Sequence, residues 1–260
     1  MKPPSSLPTR ETVRRIEVGP WAIELLPGSA YEARYLATQS AIGFAFDSQR
    51  GTHAIGSDRV QPFHALPNGL AFVPAGCDVF STSLRGGEYL RVVRTDGVAL
   101  AGDRAFNDVI DLSAVAVAKG MRAALLAPSV CDDWEGWAHR LAGCASGAVQ
   151  QALPRGSMTR YRLRLLDDFI LAGLHGPLTV PAMARLVGLS EGFFMRAFKA
   201  AVGQSPHSYV LDCRLARARL LLREPQPRLV DIALACGFAS QAHMATAFRQ
   251  RLGVRPSQLR

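Results

Sequence analysis

The sequence predicts an α+β protein in two parts: a β-rich first half closed by two helices, then an all-α C-terminal stretch of about a hundred residues. Three observations predict it. Residues 18–110 alternate short apolar runs with Gly, Pro and Asp punctuation; residues 113–152 switch to helical periodicity; and residues 158–260 hold an internal repeat on the only basic part of the chain.

Length and composition bound the rest. The chain has 260 residues, 48% apolar and 20% charged, which is the composition of a globular protein, and the length suits two domains of about 100–200 residues each. No run of about 18 apolar residues occurs, so no membrane span is expected. Residues 1–10 are polar and proline-rich and lack the apolar core of a signal peptide. The five cysteines, at 77, 131, 144, 213 and 236, form no CxxC pair. They read as reduced thiols in a cytoplasmic protein, with no metal or other cofactor expected. Net charge is +9; residues 158–260 hold 15 Lys+Arg against 6 Asp+Glu, and residues 1–157 hold 15 against 15. The excess lies wholly in the second part, which points to a polyanionic partner for that part alone.

In the first half the runs 21–26, 31–37, 42–46, 70–73, 79–84 and 89–93 read as strands. Pro27-Gly28, Pro67-Asn68-Gly69, Pro74-Ala75-Gly76 and Gly86-Gly87 mark turns. Strands at this spacing suggest a small barrel or sandwich. Ser113 is the expected cap of a helix to about residue 127, stopped by Pro128. A second helix is expected from Asp132-Asp133, with Trp134, Trp137, Ala138, Leu141, Ala145 and Ala148 on one face, as core packing or as a subunit interface. Residues 153–157 (Leu-Pro-Arg-Gly-Ser) read as a linker, which separates a domain at 1–155 from one at 158–260.

The repeat carries the functional argument. Met183, Ala184, Gly188 and Leu189 lie 49 residues before Ile232, Ala233, Gly237 and Phe238. Phe194, Phe198, Lys199, Gly203 and Pro206 lie 50 residues before Met244, Phe248, Arg249, Gly253 and Pro256. Each copy reads as a helix-turn-helix unit. A small Ala admits the second helix, a Gly permits the sharp turn, and Ser190 or Ser240 caps the helix that follows. Residues 208–222 read as one helix joining the units rigidly, so that two recognition helices can meet major-groove faces about 34 Å apart on one side of a duplex. Two such units in tandem on a basic segment point to double-stranded DNA.

In the first recognition helix, Ser190, Glu191, Gly192, Phe193, Met195, Arg196 and Lys199 are the expected DNA-facing residues. Arg196 leads, because its fork suits guanine, and Phe193 suits a sugar or a thymine methyl. In the second, Gln241, Ala242, His243, Thr246, Arg249 and Arg251 are expected, with Gln241 suited to adenine. Lys199, Arg249 and Arg251 suit phosphates, which position without specifying.

The segments Gly188-Leu189-Ser190, Arg196-Ala197-Phe198-Lys199, Gly203-Gln204-Ser205-Pro206 and Arg214-Leu215-Ala216-Arg217-Ala218 resemble the signature of AraC/XylS-type transcription regulators. So do Ile232-Ala233, Cys236-Gly237-Phe238, Phe248-Arg249 and Gly253-Val254-Arg255-Pro256-Ser257. The resemblance spans about residues 160–260; Thr246 departs from it where many relatives carry arginine. It implies a bacterial activator or repressor with a seven-helix DNA reader. It also implies a preceding cupin-like sensory domain with two dimerisation helices, a homodimer, and RNA polymerase as partner of an activator. A small-molecule effector would then bind in the barrel, where His53 and His64 are the candidate contacts; no H-x-H pair, G-x-S-x-G elbow or Walker loop suggests an enzyme. Two other classes stand beside this reading: a cupin-type enzyme tethered to DNA, and an architectural DNA binder without sequence preference.

Overall fold

The computed structural model describes residues 13–259 apart from 99, 101, 103, 129–131, 151–157, 225 and 226. The polar N-terminus at 1–10, Cys131 and the expected linker at 153–157 lie outside the described residues. The chain divides into two compact units, Met1–Leu153 and Pro154–Arg260.

Among the described residues the first unit holds ten strands and two helices. The strands are β1 (Arg14–Val18), β2 (Trp21–Leu26), β3 (Tyr31–Leu36), β4 (Ala41–Ala45), β5 (Gln49–Ile55), β6 (Gln61–Ala65), β7 (Leu70–Val73), β8 (Asp78–Ser83), β9 (Tyr89–Arg94) and β10 (Phe106–Val109). They form two antiparallel sheets, in the orders β1-β2-β9-β4-β7-β10 and β3-β8-β5-β6, rather than one closed ring of hydrogen bonds. Register places Ile23, Leu25, Ile42, Phe44, Leu70, Phe72, Leu90 and Val92 on one face of the larger sheet, all buried. Helix α2 (Trp134–Gln150) packs on β2, β4 and β7, with the His139 ring edge-on to Trp21 at 5.1 Å. On the opposite face Tyr89 lies across Gly43, where a Cβ would sit 1.6 Å from the Tyr89 hydroxyl. Gly43 is therefore required for close approach. Burial pushes the Tyr89 phenol up, and the neighbouring Tyr31 and Tyr35 of the smaller sheet add to the effect.

Helix α1 (Leu112–Leu126) begins two residues earlier than a cap at Ser113 would place it. Its N-cap is Asp111, whose carboxylate accepts the Ala114 N–H at 2.8 Å, and not Ser113, which already lies inside the helix. A carboxylate outcompetes a hydroxyl at a helix N-terminus through its charge. On α2, Trp134, Ala138, Leu141 and Ala145 are buried in the core, and Trp137 and Ala148 of the same stripe are half-buried. One polar tie is buried with this core. Arg122 of α1 meets Glu88 at 2.5 Å, with side chains 9% and 2% exposed, and its guanidinium lies 4.6 Å from the Phe46 ring centre.

The second unit holds α3 (Arg160–Ala172), α4 (Val180–Leu186), α5 (Glu191–Val202), α6 (Pro206–Leu222), α7 (Leu229–Ala235), α8 (Gln241–Leu252) and a 3-10 turn at Pro256–Leu259. Among the described residues that makes six α-helices, with the 3-10 turn in the place of the seventh helix that the resemblance implies. Helix α6 starts two residues before the expected 208. Ser205 caps it and Pro206 occupies the first turn, where a missing N–H costs nothing. Phe194, Phe198, Tyr209, Phe238, Met244 and Phe248 form the aromatic-rich core, with Phe198 edge-on to Tyr209 at 5.4 Å.

Breaking the buried ion pair should be costly in one direction only. Arg122→Met leaves Glu88 charged and buried, and should lower stability by about 3–5 kcal/mol, whereas Arg122→Met with Glu88→Leu should recover most of that loss. Urea titration of the full chain measures both, and equal losses in the two variants would contradict the account.

Candidate nucleic-acid interface

The two copies of the repeat fold alike down to individual hydrogen bonds. Helices α4 and α7 end in the same six-residue closure, the Leu189 N–H donating to Ala184 O at 3.0 Å and the Phe238 N–H to Ala233 O at 2.9 Å. Gly188 (φ +64°) and Gly237 (φ +77°) supply the left-handed residue this closure requires. The second turn is one residue longer, at Ala239, after which both following helices place their buried aromatic at the same distance from the cap. Ser240 caps α8 with its side chain, accepting the His243 N–H at 3.1 Å. Ser190 occupies the cap position of α5, but its side chain makes no capping hydrogen bond.

The outward faces of α5 and α8 differ in chemistry. On α5, Phe194, Phe198 and Val202 face the core, and Ser190, Glu191, Gly192, Phe193, Met195, Arg196 and Lys199 are exposed. Phe193 and Met195 keep 41% and 37% of their surface in solvent, which leaves an apolar patch beside Arg196. The Arg196 guanidinium lies across the first turn, where a Cβ at Gly192 would sit in ordinary contact with Nη1 at 3.7 Å. On α8, Met244, Ala247, Phe248 and Leu252 face the core, and Gln241, Ala242, His243, Thr246 and Arg249 are exposed. The His243 ring stands edge-on to Phe238 at 5.5 Å, which orients it on the surface. Arg251 is placed differently from the others. It is half-buried, and its guanidinium donates to Ser208 Oγ at 3.0 Å and lies 3.7 Å from Asp212 of α6.

Helix α6 is tied to its neighbours by further polar contacts. The Tyr209 hydroxyl donates to Asp167 of α3 at 2.6 Å, and burial pushes that phenol well up. Arg214 donates to the carbonyls of Leu174 at 3.1 Å and Gly176 at 2.8 Å. Burial lifts the Cys236 thiol to about 11 despite Arg217 and Arg214 nearby, so it is a neutral core group. The sequence reading missed Ser208, Asp212 and Arg214. Their helix reads as a spacer, and nothing in its three arginines distinguishes the one that turns inward.

In the first unit, register separates the two histidines. His53 pairs with Gln61 and His64 with Arg50, which puts them on opposite faces of the smaller sheet, so they do not line one pocket. His53 stacks on Phe63 at 5.0 Å, and burial lowers its pKa. His64 shares a hydrogen bond with Ser48 at 3.2 Å. A recess of about 340 Å³ lies elsewhere, among β10, α1 and α2, lined by Asp111, Arg140, Gly143, Cys144 and others. Among the described residues no three His, Cys, Asp or Glu side chains come together to hold a metal ion, and no helix is long and apolar enough to cross a membrane.

A duplicated helix-turn-helix on one connector helix defines a tandem helix-turn-helix domain, and comparison with known proteins agrees. Residues 183–260 match the family model described as a helix-turn-helix domain. The chain is 34% identical over 99 residues to the probable transcriptional regulator LumQ of Photobacterium leiognathi, covering 38% of this chain and 40% of that protein. It is 36% identical over 87 residues to the HTH-type transcriptional regulator ArgR of Pseudomonas aeruginosa, covering 34% and 26%. A crystal structure of a transcriptional regulator with an AraC-type DNA-binding domain from Chromobacterium violaceum is 34% identical, over 39% of this chain and 90% of that one, with a TM-score of 0.37. The match thus spans two-fifths or less of the length of these curated relatives. The C-terminal region of the chain is an AraC-type helix-turn-helix domain.

The unequal caps give a direct test. Ser240→Ala removes a capping hydrogen bond and should cost about 1 kcal/mol of stability, whereas Ser190→Ala removes none and should cost only a few tenths. Thermal unfolding of both variants measures the difference; equal losses would show that Ser190 caps α5 in solution.

Proposed function

We propose that the chain is a sequence-specific DNA-binding transcription regulator of the bacterial cytoplasm, whose second unit reads double-stranded DNA through α5 and α8. One observation carries this reading. The two copies of the repeat expose polar and cationic faces on their second helices, and they do so on the part of the chain that holds the whole net charge of +9. The relatives named above are themselves named as transcription regulators, which favours regulation over catalysis.

In this reading α5 and α8 enter successive major-groove faces about 34 Å apart. Arg196 forks onto a guanine, Glu191 accepts from cytosine, and Phe193 and Met195 meet thymine methyls or sugar. Gly192 and Ala242 permit close approach. Gln241 pairs with adenine, and His243 and Thr246 add hydrogen bonds in the second sub-site. Lys199 and Arg249 meet phosphates, as does Ser190, whose hydroxyl is not used in capping. Arg251 we assign to fastening α8 on α6, since Ser208 and Asp212 already hold its guanidinium.

The first unit we read as cupin-like, with its two sheets facing each other about Tyr89, and as the seat of control, by a small-molecule effector or by pairing with a second copy. Of the two histidines, His53 is the better placed as an effector contact. It lies beside Ser81 in register, on the face where Ser81 Oγ and Tyr31 share a hydrogen bond of 3.1 Å. RNA polymerase is the further partner if the protein activates.

Selection from a random duplex library, followed by gel-shift titration, tests the whole reading. A specific regulator prefers its selected site over random duplex by about 10³–10⁷, and equal affinity for both would leave an architectural binder. Arg196→Ala should lose about 1–3 kcal/mol of that preference with folding intact. Arg249→Ala should weaken all duplexes alike and flatten the salt dependence by about 0.9 in log–log slope. An unchanged slope would remove Arg249 from the phosphate contacts.

A further inference from the structure

The two turns of the repeat are alike in sequence and unlike in use. A Cβ at Gly188 would meet nothing within 4 Å, so that glycine answers only to its backbone angle. A Cβ at Gly237 would lie 2.1 Å from the carbonyl oxygen of Leu174, 2.9 Å from Arg214 Nη2 and 3.0 Å from Arg214 Cζ. The same guanidinium donates to the Leu174 and Gly176 carbonyls. Residues 173–176 lead from α3 into α4, the first helix of the first helix-turn-helix, and Gly237 is the turn of the second. Arg214 sits between them on the connector helix. Arg214 is half-buried, and two edges of its planar guanidinium, Nε and Nη2, are fixed on two backbone carbonyls, so its position is set in direction as well as in distance.

We propose that Arg214 is a positioning residue that joins the lead-in of the first helix-turn-helix to the turn of the second. It thereby sets the separation and rotation between α5 and α8, and so the number of base pairs between the two sub-sites that one chain reads. This rests on the DNA-reading proposed above. One base pair is about 3.4 Å of rise, so a small shift at this joint displaces α8 from its groove. Lysine cannot reproduce the contact, since it presents a point charge where arginine presents a planar fork.

The test uses the full chain and the duplex it selects, with the spacer between sub-sites shortened or lengthened one base pair at a time. Wild type should show one sharp optimum, losing about tenfold, or about 1.4 kcal/mol, one base pair away. Arg214→Lys should broaden or move that optimum while leaving affinity for a duplex with a single intact sub-site unchanged. Gly237→Ala disturbs the same joint with Arg214 intact and should do the same, so it carries the test if Arg214→Lys does not fold. Gly188→Ala bears a similar backbone strain in open space and should keep the wild-type profile. A merely destabilised protein loses active fraction equally at every spacing. That result, or an unmoved optimum in folded variants, overturns the proposal, as does a wild type that discriminates sequence but is indifferent to spacing. A wild type that prefers no duplex at all overturns the DNA-reading itself, and the positioning role with it.

Discussion

The second unit depends on helix α6 being held still. A helix of 17 residues spans about 25 Å, and at each level along it a polar side chain reaches a different neighbour. Tyr209 holds α3 through Asp167, Arg214 holds the approach to α4, and Ser208 with Asp212 holds the end of α8 through Arg251. Apolar packing alone tolerates sliding among similar side chains. Hydrogen bonds to particular carbonyls, hydroxyls and carboxylates do not, since each holds only at one distance and direction.

The charge of the unit divides by function along the same lines. Arg214 and Arg251 turn inward to partners of their own unit, and Arg228 is paired with Asp231 at 2.9 Å. Arg196, Lys199 and Arg249 remain exposed on the outer faces of α5 and α8. A count of basic residues therefore overstates the cations available to a polyanion. Beside them, Phe193 and Met195 expose apolar surface that a solvated helix face would ordinarily replace with polar residues.

What the sequence made legible follows its strongest periodicities. The repeat placed Phe194, Phe198, Met244 and Phe248 in the core and left Arg196, Gln241 and Thr246 outside it, because duplicated spacing constrains both copies at once. Six strands with apolar runs were readable, but β1 (RRIEV), β5 (QRGTHAI), β6 (QPFHA) and β10 (FNDV) were not. These are edge strands or strands of the smaller, more polar sheet, whose pairing comes from backbone hydrogen bonds that leave little trace in hydropathy. The opposite faces of His53 and His64 follow from a register that only the folded hairpin reveals. The inward turn of Arg214 depends on carbonyls some forty positions earlier in the chain, which no local pattern encodes.

The one-residue-longer second turn, together with the divergence of the two outer faces, bears on how such a chain sits on its target. Equivalent positions carry Glu191 and Gln241, Phe193 and His243, Arg196 and Thr246. On the proposed reading one polypeptide is a lopsided reader that needs no palindrome, and its binding has a head and a tail. Turning the target around would then present the opposite flank of the protein to whatever lies downstream.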